Sequence, residues 1–300
     1  ETYVEEKNRQ TRLESQRLDR GMSPESKLPS IYREWQLDSW VLEGDSDTWP
    51  SQLENYYRQT PVFAILGGYS SKNWGPIGSF CERFEIPCLF PSTDFANASS
   101  GDFYTMHFSR GLALEAELIA SHVRGNHTTH ITQIYCDGLS ASAAQALESN
   151  LQSDNIVMVK REVVCDETAL PRDIEEGIGT KADTAIVLWL ESDQLMRLEP
   201  ASTNGTIYLS SSLLKGSESI ASNLRGSVFF AHPFKLPGRI DSAYLRFIAW
   251  ARSRGIEVSH PRLQSEAFFA CLAAKDAVTH IDRFLIRDYL LDSLDHAQSM

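Results

Sequence analysis

Eight short apolar runs limit what this chain can fold into. They occupy residues 37–42, 62–66, 86–90, 131–136, 156–159, 185–190, 207–209 and 228–231. Several are apolar at nearly every position instead of alternating, which is the pattern of parallel strands buried on both faces. The segments between them carry helical spacing. Leu114, Leu118, Ile119 and Val123 form one face; Ala143, Ala144, Leu147 and Leu151 form another; Tyr244, Phe247, Ile248 and Ala251 form a third. Gly255 follows that third face where a helix ends in a left-handed residue. Strand–helix alternation of this length predicts an α/β chain built on doubly wound, mostly parallel sheet. Ahead of it, residues 3–16 read as a polar helix leading into a loop at Met22-Ser23-Pro24.

Two extended stretches break the series. Asp102-Phe-Tyr-Thr-Met-His-Phe-Ser109 alternates aromatic residues without helical character, and Phe229-Phe-Ala-His-Pro-Phe-Lys-Leu-Pro-Gly238 carries two prolines. Both read as crossings between lobes. The expected organisation is a first lobe from 1–107, a second lobe from 108–231, and a return to the first lobe over 232–300.

Composition narrows the partners. Charged residues sum to a net −12, spread along the chain, where a nucleic-acid or anionic-membrane partner calls for clustered basic surface. No apolar run approaches the roughly 18–20 residues that span a bilayer. The chain has five cysteines, at 81, 88, 136, 165 and 271, and none forms a Cys-x-x-Cys pair. Cys81 and Cys88 flank a predicted helix-to-strand turn, and two readings stay open for them: a short disulfide, or two small buried apolar side chains. Zinc lacks a second ligand pair at usable spacing. There is no G-x-G-x-x-G, phosphate-binding loop, G-x-S-x-G or H-E-x-x-H. His122, His127 and His130 cluster where a helix runs into a solvated loop. The expectation is a protein without catalytic residues, cofactor or metal. Sequons begin at Asn97, Asn126 and Asn204, and short sequons arise by chance.

Pro61-Val-Phe-Ala-Ile-Leu-Gly-Gly-Tyr-Ser-Ser71 resembles the strand–Gly–Ser-Ser turn of the type I periplasmic binding proteins, the branched-chain amino-acid receptor class. Ile86-Pro-Cys-Leu-Phe-Pro-Ser-Thr-Asp94 is similar to the same family's proline–strand–Ser-Ala-Thr element. Phe103-Tyr-Thr-Met-His-Phe-Ser109 resembles its first hinge, and Leu263-Gln-Ser-Glu-Ala-Phe-Phe-Ala-Cys-Leu-Ala-Ala274 its long helix after the return crossing. Trp35-Gln-Leu, Phe80-Cys-Glu, Phe108-Ser-Arg-Gly111 and Val187-Leu-Trp-Leu190 resemble a bacterial subgroup whose members can carry a c-type haem segment; this chain shows no such segment. The likeness runs in consistent order from Trp35 to Ala297. It implies two lobes, each a mostly parallel sheet flanked by helices. The family's first strand would precede the opening helix and its closing strands would follow Met300, so the resemblance predicts a chain truncated at both ends with an unpaired strand site.

In such a fold the ligand sits between the lobes at the carboxyl ends of the strands. Gly67 and Gly68 bend the chain, and Tyr69, Ser70 and Ser71 then present hydroxyls and backbone N–H groups to a carboxylate. The resemblance gives that role to Ser70 and Ser71; the alternative is helix capping. Ser92, Thr93 and Asp94 follow the next strand into the same cleft, with Asp94 either offsetting a ligand ammonium or serving as a turn residue. The second lobe offers Asp137, Ser140, Trp189, Glu191 and Ser210. Ser140 faces the cleft or caps a helix, Trp189 stacks on ligand or sits in the core, and Glu191 is this lobe's amine candidate. Phe234 stands beside His232 and Pro233 at the return crossing.

The implied function is an extracytoplasmic, bacterial solute-binding protein, periplasmic where that compartment exists. It captures an amino acid or related small molecule by lobe closure and delivers it to an ABC permease. The alternative is a sensing or accessory domain of the same fold, coupled to a cytochrome c or a signalling partner. Related domains imply a homodimer.

Overall fold

All but one of the apolar runs enter parallel sheets with helices on both faces, a small one that continues past a kink and a larger one. The computed structural model describes residues 1–21, 33–70, 74–95, 102–136, 138–164, 183–196, 202–215, 224–233, 242–281 and 284–298. The chain opens with α1 (Thr2–Gly21), a 3-10 turn (Ser46–Thr48) and α2 (Trp49–Gln59). Then come β1 (Ile65–Leu66), β2 (Tyr69–Ser70), α3 (Gly75–Phe84), β3 (Cys88–Leu89), β4 (Ser92–Thr93) and β5 (Thr105–Met106). Strands β1, β3 and β5 pair in that order, and β2 with β4 continues the first two beyond a kink. One face of this small sheet carries a core of Trp49, Leu53, Ile77, Phe80, Cys81 and Ile86 from α2, α3 and their turns. The other carries Leu89 and Phe90 against late helices.

The second sheet is larger. It is fed by α4 (Leu112–Gly125), β6 (His130–Tyr135), α5 (Leu139–Leu151), β7 (Val157–Glu162), β8 (Thr184–Trp189) and α6 (Ser192–Met196). After these come β9 (Ser202–Ser210), α7 (Ser211–Leu214) and β10 (Arg225–Ala231). The order is β10-β9-β8-β6-β7 with every pair parallel. Central β8 is buried on both faces: Ala185, Val187 and Trp189 join the α4–α5 core, while Ile186 and Leu188 join the opposite core with Leu195 and Leu214. That double burial is why the run is apolar throughout. At the edge, β7 alternates between half-buried and exposed side chains, with Val157 and Val159 exposed.

The chain then closes with α8 (Ser242–Ser253), α9 (Pro261–His280) and α10 (Arg287–Gln298). Gly255, at φ 65°, ends α8 as its position predicts, and Ile256 N–H reaches back to Ala251 O at 3.0 Å. Ala270, Ala274, Ala277, Leu290, Leu291 and Leu294 of α9 and α10 cover the Leu89–Phe90 face of the first sheet. Arg287 fixes that packing. Its guanidinium donates to the carbonyls of Val62, Phe63, Phe84 and Glu85 and to the Tyr57 hydroxyl.

Two expectations need correction. Residues 37–42 form no strand; Leu37 and Trp40 line, with Val62, Ala64, Ile65 and Leu66, a cavity of about 420 Å³. On α4, Leu118 is 41% exposed, and the buried face is Leu112, Glu115, Ala116, Ile119, Ala120 and Val123. Small alanines there let α4 lie close along α5, and the leucine falls outside the contact. Of the two readings open for Cys81 and Cys88, buried free thiols is the one observed, and a disulfide engages Cys136.

Candidate functional site

The two hydroxyl-bearing turns singled out in the sequence lie side by side. After β1 the chain bends at Gly67 and Gly68, both at positive φ (67° and 109°), and re-enters an extended path as β2. After β3 it bends at Phe90 (φ 57°) and Pro91 and resumes as β4. The second segments pair in register, Tyr69 with Ser92 and Ser70 with Thr93. Gly67 N–H donates to Leu89 O at 2.7 Å and Ser92 N–H to Gly68 O at 2.9 Å, so the kinks are braced together. A side chain at Gly68 would meet the Trp74 ring at 2.9 Å, which is why glycine is required there for closeness as well as conformation.

The first of these kinks is one wall of a cavity of about 480 Å³ at the carboxyl end of β1. Trp40, Trp49, Trp74, Leu53 and Ile77 line it together with Gly67, Gly68, Tyr69 and Ser70. Tyr69 is exposed, whereas Ser70 and Thr93 are buried and Ser92 and Asp94 half-buried. Thr93 uses its hydroxyl locally: Oγ1 donates to Phe95 O and accepts from Phe95 N–H, closing a turn over three residues. Burial holds the Asp94 carboxyl above its ordinary range, opposed by Arg262 and Lys215. Its carbonyl accepts Leu112 N–H at the start of α4. Phe95 next to it bridges Gly111 and inserts among Ile119, Ile131 and Trp189 of the α4–α5 core. The strand end of one sheet is thereby pinned into the core of the other.

On the second lobe the named residues take more structural positions. Trp189 is fully buried, and its indole N–H donates to Gln133 Oε1 at 2.8 Å; Gln133 in turn donates to Ala144 O. That is the core position, the plainer of the two open to it. Ser210 caps α7 by accepting Leu213 N–H at 3.1 Å. Ser140 is buried in the first turn of α5. Glu191 is half-buried, 3.8 Å from Lys215 Nζ. Ser71, Asp137 and Phe234 lie outside the described residues. Among the described residues no group of three or more His, Cys, Asp or Glu is arranged to hold a metal.

Glu115 escaped the sequence reading. It sits on the first turn of α4, fully buried, where its Oε1 accepts Ser212 N–H at 2.9 Å beside the end of β9. Its Oε2 has no partner among the described residues. Burial raises its pKa to about 7, partly offset by Ser210 and Ser212. The signal was available: Glu115 falls three residues after Leu112 and four before Ile119, on the apolar face.

No protein-family model matches the sequence, and a search of curated proteins finds no match. Solved structures do match in shape. An ABC transporter substrate-binding protein from Desulfitobacterium hafniense, in complex with Leu, superposes at TM-score 0.61 with 14% identity. That match covers 96% of this chain and 83% of the other. A putative branched-chain amino acid ABC transporter protein from Rhodospirillum rubrum gives TM-score 0.60 and 20% identity, covering 98% and 84%. The branched-chain amino acid transporter substrate binding protein of Streptococcus pneumoniae, in complex with isoleucine, gives 0.56 and 12%, covering 97% and 82%. The chain therefore has the two-lobed α/β fold of the type I periplasmic binding proteins.

Proposed function

We propose, from a fold shared with amino-acid-binding proteins, that this chain is an extracytoplasmic solute-binding protein. It captures a small carboxylate-bearing molecule between its lobes and presents the closed form to an ABC-type permease. The observation that carries this reading is the register of β2 with β4, which sets Tyr69 and Ser70 beside Ser92 and Thr93 at the carboxyl ends of their strands. Backbone N–H groups at such bends, with adjacent hydroxyls, receive an oxyanion. We assign the carboxylate to Ser70 and Ser71, with Asp94 and, across the cleft, Glu191 as partners for a ligand ammonium. Ligand would act by favouring the closed arrangement over the open one.

No helix among the described residues is long and apolar enough to cross a membrane. One further observation supports an extracytoplasmic role: Cys136 is disulfide-bonded, as suits an oxidising compartment. The structural neighbours are substrate-binding proteins.

Isothermal titration against the twenty amino acids and a set of small carboxylates tests this. At least one ligand should bind with micromolar or tighter affinity, and Ser70→Ala combined with Ser71→Ala should weaken it about tenfold or more, as for loss of hydrogen bonds to a charged group. Absence of binding across the panel would reject the reading.

A further inference from the structure

We infer that the outer edge of β1 is a docking slot for an extended apolar strand donated by a partner polypeptide. Such docking is independent of the solute-binding reading. Residues 62–66 are apolar at every position, the character of a strand enclosed in its sheet. Central β8 has the same character and is buried from Ala185 to Trp189. Residues 62–66, by contrast, are all only half-buried, and among the described residues β1 pairs with β3 alone. Ile65 N–H donates to Pro87 O at 2.8 Å and Gly67 N–H to Leu89 O at 2.7 Å. The intervening Leu66 therefore turns its N–H and C=O away from β3. Sheet edges are ordinarily blunted by charge, proline or a bulge, and residues 62–66 carry none of these.

The space beside that edge has the form a strand would fill. Two cavities, of about 420 and 480 Å³, are each lined by residues from 33–44 and from 60–70, and they share Trp40, Ile65 and Leu66. The first reaches Leu89, Ala274 and Leu290 on the α9–α10 face of the sheet. The second reaches Trp49, Leu53 and Ile77 on the α2–α3 face. Successive side chains of a strand point to opposite faces, so one strand laid along β1 fills both cavities. Both faces are apolar, so the docked strand is apolar at successive positions. Roughly six of its residues run beside 62–67. Leu37 and Val41 line the same cavities from the other wall, are 45% and 63% exposed, and belong to a segment that joins no ladder. Seven of this chain's own apolar runs overlap strands and the eighth is that wall, so neither this chain nor a second copy has one to spare. The occupant is a partner's strand, held by main-chain pairing with side-chain pockets on both faces.

The test titrates the full chain into a library of labelled peptides, read by fluorescence anisotropy. Each peptide carries a central run of roughly six residues drawn from valine, isoleucine, leucine and alanine, between paired lysines. At least one should bind with micromolar affinity. With it bound, the amide hydrogens of Leu66 and of residues 37–42 should exchange about tenfold more slowly or less, while those of β7, the open edge of the larger sheet, keep their rates. Methylating alternate backbone amides of that peptide keeps its side chains and deletes its ladder, and should abolish binding. Leu37→Asp and Val41→Asp, at exposed positions that the fold does not need, should each weaken the peptide about tenfold. No binding across the library at millimolar peptide overturns the slot. Binding that survives amide methylation, or that slows exchange at β7 and not at Leu66, overturns it equally. Peptide binding with these protections supports the slot whether or not any amino acid or carboxylate binds, and the solute-binding reading stands or falls on its own titration.

Discussion

Gly111 sits at φ 55°, and a Cβ added to it would collide with the carbonyl oxygen and carbon of Asp94. Neither obstacle can swing away, because both are backbone and that oxygen accepts Leu112 N–H. We expect Gly111→Ala to destabilise the protein by about 3 kcal/mol or more, read from the urea midpoint at constant slope. Residue-scale roles divided cleanly by what a sequence can carry. The Gly67-Gly68 bend was legible because two adjacent glycines after a buried strand have few other uses. The occupation of Thr93 by Phe95, and of Ser210 by Leu213, was not, since a serine or threonine after a strand is equally suited to ligand or to backbone. Only the partner decides, and the partner here is a few residues away.

At the scale of elements, α4 meets α7 through Glu115. Its folded-state pKa of about 7 lies above the ordinary 4.5, so the folded form holds a proton that the unfolded chain releases. The stability this group lends is complete below the ordinary value and is lost as pH rises toward and through 7. Wild type should therefore lose up to about 3 kcal/mol, relative to Glu115→Gln, between pH 4.5 and 8. Glutamine retains an acceptor for Ser212 N–H and carries no charge. Chemical denaturation of both proteins at pH 5, 6, 7 and 8 measures the difference, and parallel curves would refute the assignment. Seven of the eight predicted runs overlap a strand; burial on both faces writes itself into every position of central β8, whereas edge β7 carries exposed valines. Residues 37–42 carry the same apolar character without the result. A strand is made by its ladder, and this segment forms none with β1; residues of both line one cavity. The buried face of α4 was misread for the opposite reason: alanines set it, and leucine drew attention away.

Across the whole molecule the two sheets have separate cores, and Phe95 is where they interlock. It leaves the first sheet's strand end, is 3% exposed, and packs with Leu112, Ile119 and Trp189 of the second. Phe95→Ala should cost about 3–5 kcal/mol, as for a large aromatic removed from a packed core. It should also separate the unfolding of the lobes, seen as two calorimetric transitions in place of one. A single transition with unchanged midpoint would show that the lobes are held together elsewhere. The sequence offered 102–109 as a candidate crossing but gave no sign of this plug, since a phenylalanine after Ser-Thr-Asp reads as an ordinary loop residue. Arg287 has a further consequence. It anchors, from the beginning of the last described helix, carbonyls between Val62 and Glu85, and α9 and α10 supply the cover for Leu89 and Phe90. Synthesis delivers these parts after the strands of both sheets. The strand-bearing portion of the first sheet must wait, with half its core uncovered, while the contiguous second sheet is already complete. During that interval, and during any export that threads the chain from its N-terminal end, the nascent protein is a finished lobe tethered to an open apolar shelf, the state in which chaperone capture and aggregation compete most directly.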